Sequence, residues 1–560
     1  MKPCPTLSAA VLLSLPASAS AAVSDTYGDL IVRLMAVHHR SCGDVASAIE
    51  AADSAWTCPL SPAERGLRGL SDLPTCVAVL DARCVSVATT CDRTNPGCLW
   101  SGEVSLAGAN AVFRGEAAGD QASRYGLWGA GDFDGDGIDD VALGAAYNDE
   151  AGTDAGAAYV VYGPVSGRVE LADADVKFLG EAAGDLAGQN VRGMGDVDGD
   201  GFSDLAILAR LEDTAGTHAG ALYLVHGPAT GTVNLSTADA KWLGEAAEDA
   251  LSDLAPLGDT DGDGVADVIV SSQGSDMAYT EAGAAWILSG DSTGTASLTT
   301  ARAVLRGEGI RSQAGSSVGA AGDVDGDGLP DIAVGARFTE VSGMTQVGAG
   351  YLVLGTVSGE LDLADAYAGY LGESDGDRLG AGLAATGIGD IDADGYDDVA
   401  FGAYLNDRGG TDAGTLYVML GPITAGRQDI GTAADHIITG SQPGDHSGYA
   451  VISPGDVDGD GRSDVLISAH GSDIGATNAG GAWLALGPLS GVSSMDDAQA
   501  VFVGEAAHDE TGHHTVCPAG DVNDDGYPDM LIGSWHHDVE RMGRVLDEAG
   551  QAYLIFGGGL

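Results

Sequence analysis

The nine residues Asp132-Phe133-Asp134-Gly135-Asp136-Gly137-Ile138-Asp139-Asp140 decide how the rest of this chain is read. Carboxylates at positions 1, 3, 5 and 9, a glycine at 6 for a sharp turn and a backbone carbonyl at 7 can surround one hard cation with oxygen ligands. Calcium prefers that coordination, whereas magnesium demands a stricter octahedron and sheds water reluctantly. A single such stretch could equally be a solvated turn, because Asp and Gly fill turns for local reasons.

Working outward, the same spacing returns six times. The sets are Asp196, Asp198, Asp200, Phe202 and Asp204; Asp259, Asp261, Asp263, Val265 and Asp267; and Asp323, Asp325, Asp327, Leu329 and Asp331. They continue with Asp390, Asp392, Asp394, Tyr396 and Asp398; Asp456, Asp458, Asp460, Arg462 and Asp464; and Asp521, Asn523, Asp525, Tyr527 and Asp529. In each set the fourth residue, like Ile138 in the first, offers its carbonyl. Seven copies in register make cation binding the better reading, with about seven Ca2+ ions, one per repeat. An EF-hand starts the same way but needs a bidentate Glu at position 12. These loops carry Leu143, Ile207, Val270, Val334, Phe401, Ile467 and Ile532 there, inside strand-like runs.

The repeat is about 65 residues long, enough for one propeller blade with extended loops. The unit opens on an apolar residue before Gly-Glu, as in Phe113-Arg114-Gly115-Glu116 and Trp242-Leu243-Gly244-Glu245, and then reaches its Asp loop. Two strand-length runs follow, such as Val141–Gly144 and Gly156–Gly163, bounded by turn residues. With the run before Gly-Glu as the outer strand, each period supplies four strands, which is a propeller blade. The last copy ends at Tyr553–Phe556 without an outer strand, and the first begins with a spare one, Ala111–Arg114. The spare strand is expected to close blade seven and so remove an open sheet edge.

The combination F-x-G-E, D-x-D-G-D-G-x-x-D and G-A-x-Y-V-x-x-G resembles the FG-GAP repeat of integrin α-subunit propellers and their bacterial relatives, over residues 101–560. The resemblance implies a seven-bladed β-propeller with calcium held between the first and second strands of a blade. It also implies that the ions are structural, since every oxygen position is filled. The chain departs from the family in keeping a full ligand set in nearly every copy, and no integrin leg, membrane span or inserted domain is expected.

Composition agrees. The protein has 560 residues, 88 of them Gly, and a formal charge of −59 from 83 acidic against 24 basic residues. Such a charge repels nucleic acid and anionic membranes and attracts cations. Residues 1–21 read as a secretory signal peptide, with Lys2 before a short apolar run and small residues near Ala19–Ala21. Residues 22–100 read as a partly helical, Cys-rich segment, because apolar residues recur there at helical steps. Cys42, Cys58, Cys76, Cys84, Cys91 and Cys98 fit three disulfides in an exported protein, with the pairing open and a zinc site as the rival. Cys517 is left over.

No catalytic residue is assigned. Gly315-Ser316-Ser317-Val318-Gly319 fits the nucleophile motif G-x-S-x-G but occupies the strand register before an Asp loop. The expected function is a secreted, calcium-binding adhesion or ligand-binding module for an extracellular protein or glycan. The alternatives are an extracellular polysaccharide hydrolase or lyase, or a structural cell-surface component. The expected binding face lies opposite the Asp loops, at Tyr147, Asn148, Arg210, Glu212, Arg337, Tyr404, Asn406, Arg408, Trp535 and His536. His508, His513, His514, His536 and His537 crowd the last repeat near Cys517.

Overall fold

Asp-loop and strand signals recur in the same order seven times, six of them led by Gly-Glu and one by Gly440-Ser441, and in the computed structural model each recurrence builds a sheet whose four main strands are antiparallel. The structure describes residues 100–558 except 342, 491–492 and 542–543. The expected signal peptide, the helical Cys-rich segment and its disulfides lie outside the described residues.

Blade one runs Leu127–Gly131, Asp140–Ala145, Ala157–Val161 and Val176–Leu179 as a four-strand meander. The later blades repeat it, with first strands at Ala187–Gly195, Asp253–Gly258, Ala314–Gly322, Ala385–Gly389, Val451–Gly455 and Val516–Gly520. Every first strand packs against the first strands of both neighbours, and the circle closes where Val516–Gly520 meets Leu127–Gly131. This is a seven-bladed β-propeller.

The spare N-terminal strand closes blade seven as expected: Ala111–Arg114 pairs antiparallel with Gln551–Ile555. A second interlock was not foreseen. Except at blade five, whose described sheet has four strands, a short strand of the next unit adds in parallel to the outer edge of the blade before it, as Gly231–Asn234 does on Val176–Leu179. Gly102–Ser105 makes the same addition to Ala500–Val503 of blade six, so two N-terminal strands clasp the last two blades. Trp100 extends the clasp, its Nε1 donating to the carbonyl of Phe556 at 3.0 Å. These edge strands escaped the sequence reading because Gly-Arg-Val-Glu or Gly-Glu-Leu-Asp is short, polar and half-exposed, with no alternation to distinguish it from a loop.

The apolar core lies in seven layers between neighbouring blades. One layer combines Phe178 and Tyr159's strand neighbours of blade one with Leu205, Ile207 and Tyr223 of blade two. Each fully buried aromatic or aliphatic side chain there stabilises the ring by ~1.5–3 kcal/mol. Second strands are buried along their whole length because a sheet covers each face, which explains the continuous apolar runs. Glycine is required within them at one place: a Cβ on Gly144 would lie 1.9 Å from the carbonyl oxygen of Gly188 on the next blade. Gly335 and Gly402 stand in the same relation to Gly380 and Gly448.

Candidate functional site

In every blade the Asp loop joins the first strand to the second. Its sixth residue, Gly137 in blade one, takes φ near +92°, a left-handed conformation that admits glycine without strain. That turn folds the loop back on its first carboxylate: Asp132 Oδ1 accepts from Gly135 N–H at 2.8 Å and Oδ2 from Gly137 N–H at 3.0 Å. Carboxylate oxygens of Asp132, Asp134 and Asp136 consequently lie within 4.8 Å of one another, as do those of Asp259, Asp261 and Asp263. In other blades positions 1, 3 and 9 gather, as in Asp196, Asp198 and Asp204; Asp323, Asp325 and Asp331; and Asp390, Asp392 and Asp398.

Position 9 has a second task. Asp140 is fully buried at the start of the second strand, where Oδ2 accepts from Phe133 N–H at 2.9 Å and Oδ1 from Gly163 N–H at 2.7 Å. It thus pins its own loop to the turn between strands three and four. Asp204, Asp331, Asp398, Asp464 and Asp529 repeat both bonds. Burial pushes these carboxyls up, Asp140, Asp398 and Asp464 to about 7 and Asp529 to about 8, with neighbouring loop carboxylates adding to the shift. A cation among such groups would relieve that cost.

Adjacent loops are also joined to each other. The eighth residue donates its N–H to the first carbonyl of the previous loop, in Ser203 to Asp132 at 2.8 Å, Ser463 to Asp390 at 3.0 Å and Asp397 to Asp323 at 3.1 Å. Blade three differs. There Arg302 reaches both Asp261 Oδ2 at 3.1 Å and Asp267 Oδ2 at 3.0 Å, setting a guanidinium beside two expected ligands. Blade seven differs too, with Asn523 Nδ2 turned toward both oxygens of Asp529 at 3.4 Å.

The Gly-Glu motif, to which the sequence reading gave no role, forms a partly exposed hydrogen-bonded node. Glu116 accepts from Tyr159 OH at 2.9 Å and from Lys177 Nζ at 2.8 Å. Glu181 does the same with Tyr223 and Lys241, and Glu373 with Tyr417 and Arg408. Repetition of Glu and of the third-strand Tyr in one register was the available signal. Four of the residues expected on the binding face belong to this framework. Asn148 bonds Glu116 and Asp120, Glu212 holds Lys241, Asn406 bonds Asp377, and Arg408 pairs with Glu373.

The far end of the axis is different in kind. Seven residues before each loop's first aspartate stand Tyr125, Gln189, Ser252, Ser316, Leu383, Tyr449 and His514, one per blade, and all seven line one cavity of about 220 Å3. Arg210, Gln273 and Arg337, each fourteen residues after a first aspartate, line it as well. The same register in blades five to seven holds Tyr404, His470 and Trp535, which join an aromatic cluster. Tyr404 meets Tyr449 edge-on at 4.9 Å, Tyr449 meets His470 at 4.9 Å, and His513 lies 6.1 Å from Trp535. Burial lowers the His470 and His514 imidazoles well below their ordinary range, so both are neutral there. Deeper along the axis a second cavity of about 270 Å3 is lined by Trp128, Arg192, Pro256, Ile452 and neighbouring backbone. Cys517 is fully buried in the adjoining strand and its thiol is pushed up to about 12 by burial. Ser317 lies in a first strand, where its hydroxyl oxygen accepts from Ala385 N–H at 3.1 Å.

Comparison with known proteins follows the same periodicity. The FG-GAP repeat model matches residues 129–161, 193–225, 252–288, 314–353, 383–419 and 448–484. The chain is similar to integrin alpha-PS2 of Drosophila melanogaster, 28% identical over 228 residues that make 39% of this chain and 15% of that one. It is also similar to integrin alpha pat-2 of Caenorhabditis elegans, 30% identical over 239 residues, 39% of this chain and 17% of that one. Integrin alpha-IIb of Homo sapiens is 28% identical over 186 residues, 32% of this chain and 17% of that one. The chain thus spans less than a fifth of these relatives. Among solved structures, BBS1N in complex with ARL6DN, soaked with mercury, aligns with a TM-score of 0.39 at 10% identity, covering 77% of this chain and 91% of that one.

Proposed function

Since this chain is an FG-GAP repeat protein with an integrin-α-like propeller, we propose that it is a secreted, calcium-loaded module that binds an extracellular protein or glycan. The observation that carries this reading is the division of labour between the two ends of the disc. At one end the blades repeat the same acidic loop; at the other, one register position holds a different kind of side chain in almost every blade, and all seven face a cavity. Repetition suits a scaffold, while unlike side chains around one cavity suit recognition.

Calcium would be held by the side-chain oxygens at positions 1, 3, 5 and 9, all carboxylates except Asn523, and the carbonyl at 7 of each loop. Bound there, it supplies positive charge that offsets the clustered carboxylates and pins the turn. The loops themselves do the rest: position 9 ties six of the seven to the third-to-fourth-strand turn, and in four, at Asp139, Ser203, Asp397 and Ser463, the eighth residue ties the loop to the preceding blade. Export rests on the signal-like pattern of residues 1–21, and no helix among the described residues is long and apolar enough to cross a membrane. The test is a panel of immobilised glycans and matrix proteins probed with the full protein in calcium and in EDTA. Calcium-dependent capture by a defined member of the panel is the expected result; binding to none, or binding through the Asp-loop end, would overturn the reading.

A further inference from the structure

In a protein with 83 acidic and 24 basic residues, a half-buried arginine should find a carboxylate. Most do. Lys177, Lys241 and Arg302 each reach two, and Arg114, Arg408 and Arg427 each reach one. Five arginines at the axis do not. Arg124 donates to Gln121 Oε1 at 2.6 Å and lies 4.1 Å from the ring centre of Trp535. Arg337 donates to Gln313 Oε1 at 2.8 Å, and Arg378 to Tyr404 OH at 2.7 Å. Arg192 is only 2% exposed, stacks 4.4 Å from Trp128 and donates to the carbonyl of Val191. Arg210 has no acceptor among the described residues. Elsewhere, Arg168 and Arg544 also pair with no carboxylate among the described residues, but both are exposed to solvent.

Two carboxylates do stand near and both are already engaged: Glu510, in the field of Arg124, pairs with His513 at 3.3 Å, and Asp253 accepts from Asn190 Nδ2 at 2.8 Å, Leu254 N–H at 2.9 Å and Val318 N–H at 3.1 Å. Asn190, which lines the upper cavity and is 3% exposed, keeps its Oδ1 buried without a partner. The cavity mouth is therefore lopsided. Blades two to four present Arg210 and Arg337 with amides and hydroxyls, and blades five to seven present aromatic rings.

We propose that this axial funnel binds an acidic sugar unit, a uronic acid or a sulfated sugar, presented at the end of a glycan. The proposal rests on the reading that this face is the binding face and names its ligand. A guanidinium matches two coplanar oxygens of a carboxylate or sulfate. Ser252, Ser316, Gln189 and Gln273 meet the hydroxyls, and Tyr449 with Tyr125 offers rings against which a pyranose packs. A cavity of about 220 Å3 equals the share of about seven waters at ~30 Å3 each, room for one sugar ring. The charge of −59 around it admits a single terminal anion and repels a long polyanion.

The test uses the full, calcium-loaded protein in isothermal titration with a neutral oligosaccharide ending in one galacturonate, the same oligosaccharide ending in one sulfated galactose, the unmodified neutral oligosaccharide and an Asp/Glu-rich peptide. One or both acidic sugars should bind, with the neutral sugar and the peptide at least about tenfold weaker, consistent with lost charge-assisted hydrogen bonds; the two acidic arms identify the anionic group. The variant R210Q/R337Q, at half-exposed positions, should lose at least about tenfold in affinity with its melting midpoint unchanged, and added salt should weaken binding. R192M is a second variant for the deeper cavity. Equal binding of acidic and neutral sugar, preference for the peptide, no binding of either acidic sugar, or an unaffected R210Q/R337Q variant each overturns the proposal. Capture of a protein or a neutral glycan in the panel above would leave the binding-module reading standing while this ligand assignment falls.

Discussion

At one end of the propeller the first position of every loop is aspartate, from Asp132 to Asp521; at the other, the position seven residues earlier is Tyr, Gln, Ser, Ser, Leu, Tyr and His in turn. Both rings are set by the same seven strands, so geometry does not explain the difference. Identical residues in equivalent places solve one local problem seven times, closing a turn around charge. Unlike residues around one axis form a single surface that has no meaning within one blade. The contrast teaches that a repeat sequence displays its scaffold by agreement and its recognition surface by disagreement.

The largest effect expected from breaking the acidic end is loss of the cations. Free calcium a hundredfold above a site's Kd stabilises by about 2.7 kcal/mol per site, so EDTA should lower the thermal midpoint by more than about 10 °C, and calcium should restore it better than magnesium. An unchanged midpoint in EDTA would sink the calcium assignment for all seven loops. Next comes the scaffold common to both ends. Gly335→Val would drive a side chain into the carbonyl of Gly380, 2.1 Å from where its Cβ must lie, and should cost on the order of 3 kcal/mol or more in chemical denaturation. Stability within 0.5 kcal/mol, or about that, of the wild type would refute the close-packed interface.

Smaller changes sharpen the comparison. Tyr417→Phe removes a 2.8 Å bond to Glu373 and should cost about 1–2 kcal/mol without altering calcium affinity; a change in affinity would show that the two ends are coupled. Acidity supplies a further probe. Burial raises Asp120 to about 7 and Asp185, Asp377 and Asp445 to about 6. Their folded-state values lie above the ordinary value near 4, so their contribution is fully present below pH ~4 and is lost as pH rises through about 6–7. In EDTA the melting midpoint should therefore decline between about pH 4 and 7, and Asp120→Asn should flatten that slope; an equal slope in the variant would count against the assignment. The mildest expectation concerns blade three, where Arg302→Ala should raise the calcium affinity of one loop severalfold by removing a competing charge. Calorimetry showing no tightened site would remove Arg302 from that role.

By itself the sequence determined the blade count, the first-to-second-strand position of each Asp loop and closure by Ala111–Arg114, because all three depend on local chemistry repeated at a fixed period. Turn glycine, chelating spacing and apolar runs act over a few residues and so can be read in a line. What only the tertiary structure decided requires distant segments to meet. The parallel edge strands and the Gly102–Ser105 clasp are pairings between units, with no signal inside either one. Asn148, Glu212 and Asn406, equally polar in sequence to Arg210 and Arg337, are buried because Glu116, Lys241 and Asp377 wait for them across the blade, and Arg408, though exposed, is held by Glu373. The axial funnel is the extreme case, since its lining takes one residue from each of seven blades and exists only once the ring has closed.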